Sequence, residues 1–168
     1  AMGDTTDDLI TLAKDVVGQP YRYTREMDML LSTGEQITIA LIAMAFNKLG
    51  HSAISLTGLQ AGIKTNNTYT KGKIIDIEPQ RVLEELAKGN IVVVAGFQGM
   101  NMDGDVLTLG RGGSDTSAVA LAGALKADAC EIYTDVDGIY SSDPRVVKDA
   151  RRMKEITYNE LLEMARLG

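Results

Sequence analysis

Apolar residues recur at helical spacing in five parts of the chain. The predicted helices cover 4–17, 36–49, 80–88, 114–125 and 157–165. The second of these segments is apolar on nearly every side, so we expect it to be largely buried. The first begins with Asp4 or Thr5 as its cap, and Gly89 ends the third.

Short apolar runs, several of them β-branched, lie between these helices. They predict strands over 51–57, around Ile75 and Ile77, over 91–97 and over 130–134. The run IVVVAGF is typical of a central parallel strand that is covered on both faces. The polar, glycine-spaced segment 60–79 predicts a surface hairpin, and Asp103-Gly104 predicts a tight turn. Helices that alternate with buried strands predict an α/β fold, a three-layer α-β-α sandwich with a mainly parallel central sheet.

Length, charge and cysteine content narrow the class of protein. The 168 residues suit one domain, and a net charge of −6 without any basic block argues against nucleic acid as a partner. Cys130 is the only cysteine, so no internal disulfide can form, and its apolar neighbours predict a buried structural thiol. Neither an apolar run of about 20 residues nor a secretory signal is apparent, so we expect a cytoplasmic protein with no membrane partner.

The glycine-rich run GRGGSD at 110–115 lies between a predicted strand and a predicted helix. Glycines let a ligand approach the backbone, and the N–H groups at a helix start attract an anion. Arg111 adds a guanidinium fork that suits a carboxylate or a phosphate. The alternative is an ordinary glycine-rich turn, capped by Asp115 or Ser114, with Arg111 exposed.

A second polar segment, YTDVDGIYSSDPR at 133–145, follows the predicted strand 130–134. Ligands bind at the carboxyl ends of strands in open α/β sheets. Its aspartates could hold magnesium through water or bind ribose hydroxyls, while Tyr140 and Arg145 could contact base and phosphate. The alternative is a calcium-like or merely solvated acidic turn.

Glu35 follows Gly34 at the predicted start of the apolar helix. A carboxylate in this place could interact only with the helix dipole, or it could bind the ammonium group of a small substrate. Near the amino terminus, Thr5 and Thr6 offer hydroxyl donors.

Several motifs occur together and in order along the chain. They are AMGDTTDDLI, REMDMLLSTGEQ, LTGLQAG, VAGFQG, LGRGGSDTSAVALA and EIYTDVDGIYSSDPR. In this combination the sequence resembles the aspartate kinases of the amino-acid kinase family. The resemblance implies phosphorylation of the side-chain carboxylate of L-aspartate by MgATP, which gives 4-phospho-L-aspartate on the route to lysine, threonine and methionine. It also implies a homo-oligomer and association with chains that carry regulatory ACT domains.

Residue by residue, the resemblance implies that Glu35 and Arg111 hold the charged groups of aspartate, with Thr6 beside them. Ser114 and Asp115 would lie where aspartate and the phosphate chain meet, and Arg111 and Asp115 would be the catalytic residues. The residues that it assigns to ATP are Ser114, Thr134, Asp135, Tyr140, Asp143 and Arg145. It assigns no residue of this chain to a metal ion; Mg²⁺ would arrive with ATP.

The sequence also departs from this family. Its members carry a strand of the type KFGG before the segment that opens here at Ala1, and they continue past Gly168 with a serine-lysine segment and paired ACT domains. We therefore interpret 1–168 as a partial catalytic domain and expect little activity from it alone. Two alternatives stay open: a kinase of the same fold that acts on N-acetylglutamate, carbamate or uridylate, and a nucleotide-binding fragment without turnover.

Overall fold

A computed structural model of the protein describes residues 1–110, 112–133, 138–142 and 146–157. The chain divides into two compact units, Ala1–Cys130 and Glu131–Gly168. The second unit contains a short antiparallel pairing in which Tyr140 and Arg152 form an isolated β-bridge.

Within the described residues, all named helices and strands belong to the first unit. The α-helices are α1 (Thr5–Val17), α2 (Thr24–Lys48), α3 (Gln80–Ala87) and α4 (Gly113–Leu125), and a 3-10 helix (Pro20–Arg22) joins α1 to α2. The strands are β1 (Ala53–Leu56), β2 (Ile63–Thr65), β3 (Ile74–Ile77), β4 (Ile91–Val94), β5 (Gln98–Met100) and β6 (Val106–Thr108). These elements confirm the predicted helices in 4–17, 80–88 and 114–125.

The strands form two sheets. Strands β1 and β4 pair in parallel, as the apolar run IVVV predicts. The prediction that IVVV is a central, fully covered strand is wrong, because the described sheet has only these two strands and Ile91 is 37% exposed. The other sheet has the order β3-β2-β5-β6, in which β2 and β5 are parallel while β2–β3 and β5–β6 are antiparallel. The predicted hairpin corresponds to β2 and β3, and the predicted turn at Asp103-Gly104 joins β5 to β6. Its predicted surface position is wrong for β2, because Ile63 and Thr65 are 0% and 1% exposed.

Helices flank these strands and close the core. Helix α2 packs on β1, β4 and β6, α3 packs on β4, and α4 packs on β3 and β5. A cluster of buried apolar side chains fills the space between them: Leu56, Ala61, Ile63 and Val82. The predicted α/β class is therefore confirmed.

Helix α2 differs from its prediction at the start. It begins at Thr24, so Gly34 and Glu35 lie in its interior and not at its amino terminus. Glycine disfavours helix interiors, so the sequence alone favours a helix that begins after Gly34. In the structure, a Cβ on Gly34 would lie only 3.1 Å from the Cβ of Ala1 and 3.4 Å from a methyl group of Thr5. Gly34 therefore allows the close approach of α1, and a helix-dipole role for Glu35 is wrong.

The prediction that this helix is largely buried is also wrong. Ile37, Leu41 and Met44 recur at helical spacing and are 54%, 45% and 63% exposed. Among the described residues, α2 is the one helix that is long and apolar enough to cross a bilayer by length and composition, a test that core helices of soluble proteins also pass. Its other face buries the carboxyl groups of Asp28 and Glu35 and packs on three strands, which fits a core helix.

The predicted strand over 130–134 is not observed in its described part, Cys130 to Tyr133. No described strand pairs with this segment, and an apolar run forms a strand only where a neighbour satisfies its backbone groups. Cys130 is exposed, so the predicted buried thiol is wrong. Most of the predicted helix over 157–165 lies outside the described residues.

A network of side chains holds the loop between β2 and β3 against the β5–β6 turn. The Tyr69 hydroxyl donates to Asp105 Oδ2 at 2.7 Å, and Arg25 Nε donates to Asp105 Oδ1 at 2.8 Å. The hydrogen bond from Tyr69, followed by that from Arg25, lowers the pKa of the Asp105 carboxyl below its ordinary value of 3.8.

Acid should therefore destabilise the chain through Asp105. Because the folded-state pKa is lowered, the unfolded state binds the proton more readily, and this contribution is lost as the pH falls below 3.8. We expect the Asp105→Asn variant to lose less of its free energy of unfolding than the wild type between about pH 6 and pH 2. Urea unfolding across this range measures the difference, and parallel pH profiles for the two proteins would contradict it.

Candidate functional site

A cavity of about 490 Å³ lies among α1, α2, the loop between β2 and β3, and the glycine loop before α4. It brings together three residues that the sequence predicted for one site, Thr6, Glu35 and Ser114. Gly110 and Gly112 from the glycine loop also line it. Thus residues that are far apart in the sequence meet around one space, as the motifs predict.

Glu35 supplies a buried carboxylate to this cavity. Glu35 is 7% exposed, and its Oε1 accepts a hydrogen bond of 2.6 Å from the terminal ammonium of Ala1. Within the part of the chain that the structure describes, Oε2 is buried and has no hydrogen-bond partner. A buried carboxylate oxygen without a donor costs about 1–3 kcal/mol, so a cationic donor in the cavity would be stabilised here.

The glycine loop forms the start of α4 at the same cavity. Gly112 is the amino-terminal cap in a left-handed conformation (φ 70°), and Gly110 also has a positive φ of 77°. The first N–H groups of a helix have no partner within the helix, and the helix dipole makes this end positive. The cavity therefore has an end that suits an anion and, at Glu35, a group that suits a cation.

Phe97 packs against the glycine loop. It has a positive φ of 65°, which is uncommon for a residue other than glycine, and its backbone N–H donates to the Ser117 hydroxyl at 3.0 Å. A Cβ on Gly113 would lie 2.8 Å from Cδ2 of Phe97 and 3.0 Å from Cβ of Leu109. The loop can pack in this way because residue 113 has no side chain.

Substitution of Gly113 should therefore destabilise the chain. We expect Gly113→Ala to reduce the free energy of unfolding by about 1–3 kcal/mol, because the methyl group overlaps the Phe97 ring. Gly123 lies in the same helix with nothing within 4 Å of its Cβ position. Gly123→Ala is the matched control and should stabilise by about 0.5–1 kcal/mol, since alanine favours a helix. Equal effects of both substitutions in urea unfolding would contradict this packing role.

A second carboxyl group, which the sequence analysis does not identify, lies behind the cavity wall. Asp28 is 0% exposed; its Oδ1 accepts from the Thr108 hydroxyl at 2.6 Å and its Oδ2 accepts from the Thr70 backbone N–H at 2.8 Å. Burial raises the pKa of this carboxyl, and the hydrogen bonds from Thr108 and Thr70 oppose the rise. Thr70 and Thr108 both line the cavity. The one signal in the sequence was a charged residue within the apolar run MDMLL.

The other predicted site residues are placed as follows. Asp115 is exposed in the first turn of α4 and is not among the cavity-lining residues. Tyr140 belongs to the second unit. Arg111, Thr134, Asp135, Asp143 and Arg145 lie outside the described residues. Among the residues that the structure describes, no group of three or more His, Cys, Asp or Glu side chains could hold a metal ion.

Comparison with protein families finds one match over the whole chain. The model described as "Amino acid kinase family" matches residues 1–168. A curated relative, aspartokinase 2 of Bacillus subtilis, is 56% identical over 168 residues, which are 100% of this chain and 41% of that protein. The chain thus spans about two fifths of the length of the curated relatives that it matches.

Solved structures agree with this match. The aspartate kinase of Synechocystis has a TM-score of 0.79 and 51% identity, and the match covers 100% of this chain and 27% of that one. Aspartokinase III of E. coli, solved in complex with aspartate and ADP, has a TM-score of 0.78 and 30% identity, and the match covers 95% of this chain and 38% of that one.

Proposed function

Because the chain belongs to the amino acid kinase family, we propose that it forms part of the catalytic domain of an aspartate kinase, which transfers the terminal phosphoryl group of MgATP to the side-chain carboxylate of L-aspartate. Its similarity over its whole length to proteins named aspartokinase supports this activity. A further support is that a structural neighbour at 30% identity was solved in complex with aspartate and ADP.

One observation on this chain carries the proposal. A single cavity has the buried carboxylate of Glu35 and the amino-terminal end of α4 in its wall. L-aspartate has one ammonium and two carboxylate groups, so it needs a carboxylate and an anion-binding element around the same space. The unpartnered Glu35 Oε2 favours a substrate with a free ammonium group. This requirement argues against N-acetylglutamate, carbamate and uridylate, which carry none.

The substrate contacts follow from these charges. Glu35 would accept hydrogen bonds from the aspartate ammonium, and the guanidinium fork of Arg111 would hold a carboxylate. Thr6 and Ser114 line the same cavity, and their hydroxyls would contact the substrate. The backbone N–H groups at the start of α4 would face the phosphoryl side, where negative charge accumulates during transfer.

The reaction needs no general base. The aspartate side-chain carboxylate is itself the nucleophile: its oxygen forms a bond to the terminal phosphorus of ATP while the bond to the bridging oxygen breaks and ADP leaves. The protein accelerates this step by alignment and by neutralising charge. Mg²⁺ would enter as MgATP, held mainly by phosphate oxygens and water. The residues that would contact the nucleotide are Ser114, Thr134, Asp135, Tyr140, Asp143 and Arg145, and Asp115 would orient groups near the phosphates.

We also propose that the protein works in the cytoplasm as a homo-oligomer, in association with regulatory ACT domains. The exposed apolar stripe of α2, which consists of Ile37, Leu41 and Met44, is compatible with further protein contacts.

A chimera tests the activity directly. The chain would replace the corresponding residues of aspartokinase 2 of Bacillus subtilis, to which it is 56% identical. We expect this chimera to release ADP with L-aspartate and to form an acyl phosphate that hydroxylamine traps, with little turnover of N-acetylglutamate, carbamate or uridylate. A preference for any of these three acceptors would identify another kinase of the same fold. A folded chimera that uses none of the four would show that this chain supplies no competent acceptor site.

A further inference from the structure

Asp28 connects three separate parts of the molecule at the cavity wall. From helix α2 its carboxylate reaches the Thr70 N–H, 42 positions along the chain, and the Thr108 hydroxyl, 80 positions along the chain. A further hydrogen bond, from Gly72 N–H to the Thr108 carbonyl at 2.8 Å, joins the same loop to the end of β6. The glycine loop begins two residues after Thr108, so these contacts lie next to the proposed anion-binding end.

Thr70 is held in a conformation that its residue type disfavours. Its φ of 62° lies in the left-handed region, where a β-branched residue is a genuine outlier. Such a conformation persists only when the surroundings enforce it. The carboxylate of Asp28 accepts the backbone N–H of this same residue, so it is the group best placed to enforce the conformation.

The chemistry of the side chain fits this role. A carboxylate accepts hydrogen bonds at both oxygens, so Asp28 serves Thr70 and Thr108 together. Asparagine has one acceptor and one donor group and could keep both contacts only if the Thr108 hydroxyl reversed its orientation. Alanine would keep neither. Graded effects are therefore expected from these two substitutions.

We propose that Asp28 is a positioning residue that holds Thr70 in its left-handed conformation and fixes the Thr108 hydroxyl, and that it thereby shapes the cavity wall beside the glycine loop. Asp28 does not line the cavity, so it acts through these two threonines. Its effect on the backbone is independent of the enzyme activity, whereas its effect on aspartate use rests on the proposed function.

Amide hydrogen exchange in the 168-residue chain tests the backbone effect. Asp28→Ala should make the Thr70 amide exchange about tenfold faster or more, because a hydrogen bond to a charged group is lost, and Asp28→Asn should give a smaller increase. Asp105→Asn is the matched control, since Asp105 holds the same loop through Tyr69 and leaves the Thr70 amide bonded to Asp28. If Asp28→Ala does not fold, Asp28→Asn carries the test. Wild-type exchange at Thr70 in the folded Asp28 variants would overturn the proposal, as would equally fast exchange in the Asp105 variant.

Rescue by glycine tests the consequence for aspartate use. Glycine adopts a positive φ without enforcement, so Thr70→Gly should remove much of the need for Asp28. In the chimera, Asp28→Asn should lower kcat/KM for aspartate about tenfold, mainly through KM, and Asp28→Asn with Thr70→Gly should recover most of that loss. A defect that Thr70→Gly leaves unchanged would overturn the positioning role. A chimera that is inactive before substitution would count against the proposed function alone, since the exchange experiment still decides the backbone effect.

Discussion

Replacing Glu35 with glutamine should lower kcat/KM for L-aspartate more than about 25-fold. This corresponds to a loss of about 2–5 kcal/mol in transition-state stabilisation. Glutamine keeps the size of the side chain but removes the negative charge that would pair with the substrate ammonium. Because Glu35 is only 7% exposed, water would replace little of the lost interaction. KM for ATP should change much less. Steady-state kinetics of the chimera measure both values.

Glu85→Gln provides the control for this substitution. Glu85 is another buried glutamate, but it lies on α3, pairs with Lys88 and Arg81, and does not line the cavity. Its loss should lower stability without altering aspartate use. If Glu35→Gln and Glu85→Gln gave the same aspartate kinetics, Glu35 would not be the ammonium-binding group.

Replacing Arg111 with alanine should also lower kcat/KM for aspartate, because the guanidinium would hold a substrate carboxylate. The expected loss of transition-state stabilisation is about 2–5 kcal/mol. Its chain neighbours Gly110 and Gly112 both line the cavity. Arg111→Lys should restore little of the loss, since an ammonium group cannot reproduce the planar, bidentate contact. Kinetics of both variants in the chimera provide the measurement.

Arg81→Ala is the corresponding control, because Arg81 is a half-exposed arginine on α3 that bonds to Glu85 and does not line the cavity. We expect it to leave the aspartate kinetics unchanged. Wild-type aspartate kinetics in both Arg111 variants would show that the glycine loop binds its anion without this side chain.

The sequence predicted the elements whose signals are local. Helical spacing marked α1, α3 and α4, and the run IVVV marked the parallel strand β4. The start of α2 was missed because Gly34 resembles a helix boundary when the sequence is considered alone. In the structure Gly34 lies inside the helix and leaves room for Ala1 and Thr5 to pack closely against it, a contact that no local pattern contains.

In the candidate site, too, some residues could be predicted from the sequence and others could not. The resemblance to aspartate kinases implied Glu35, Thr6 and Ser114 as site residues, and all three line the cavity. Thr70 and Phe97 were missed because a positive φ is not a property of their residue types, and the backbone N–H of each donates to a side chain distant in the sequence. Asp28 was missed for a related reason: its partners lie 42 and 80 positions away.

The burial of single side chains proved the least predictable property. Cys130 and the outward face of α2 have apolar neighbours in the sequence, yet both are exposed. Whether an apolar residue is buried depends on which element covers it, and short windows of sequence do not contain that information.

The position of bound L-aspartate tests the central claim most directly. We expect a crystal structure of the chimera with L-aspartate to show the substrate nitrogen within hydrogen-bond distance of Glu35, at about 2.7–3.2 Å from a carboxylate oxygen. The substrate carboxylates should lie against the glycine loop that contains Gly110 and Gly112. Aspartate bound outside this cavity, or bound within it with its nitrogen away from Glu35, would contradict the account.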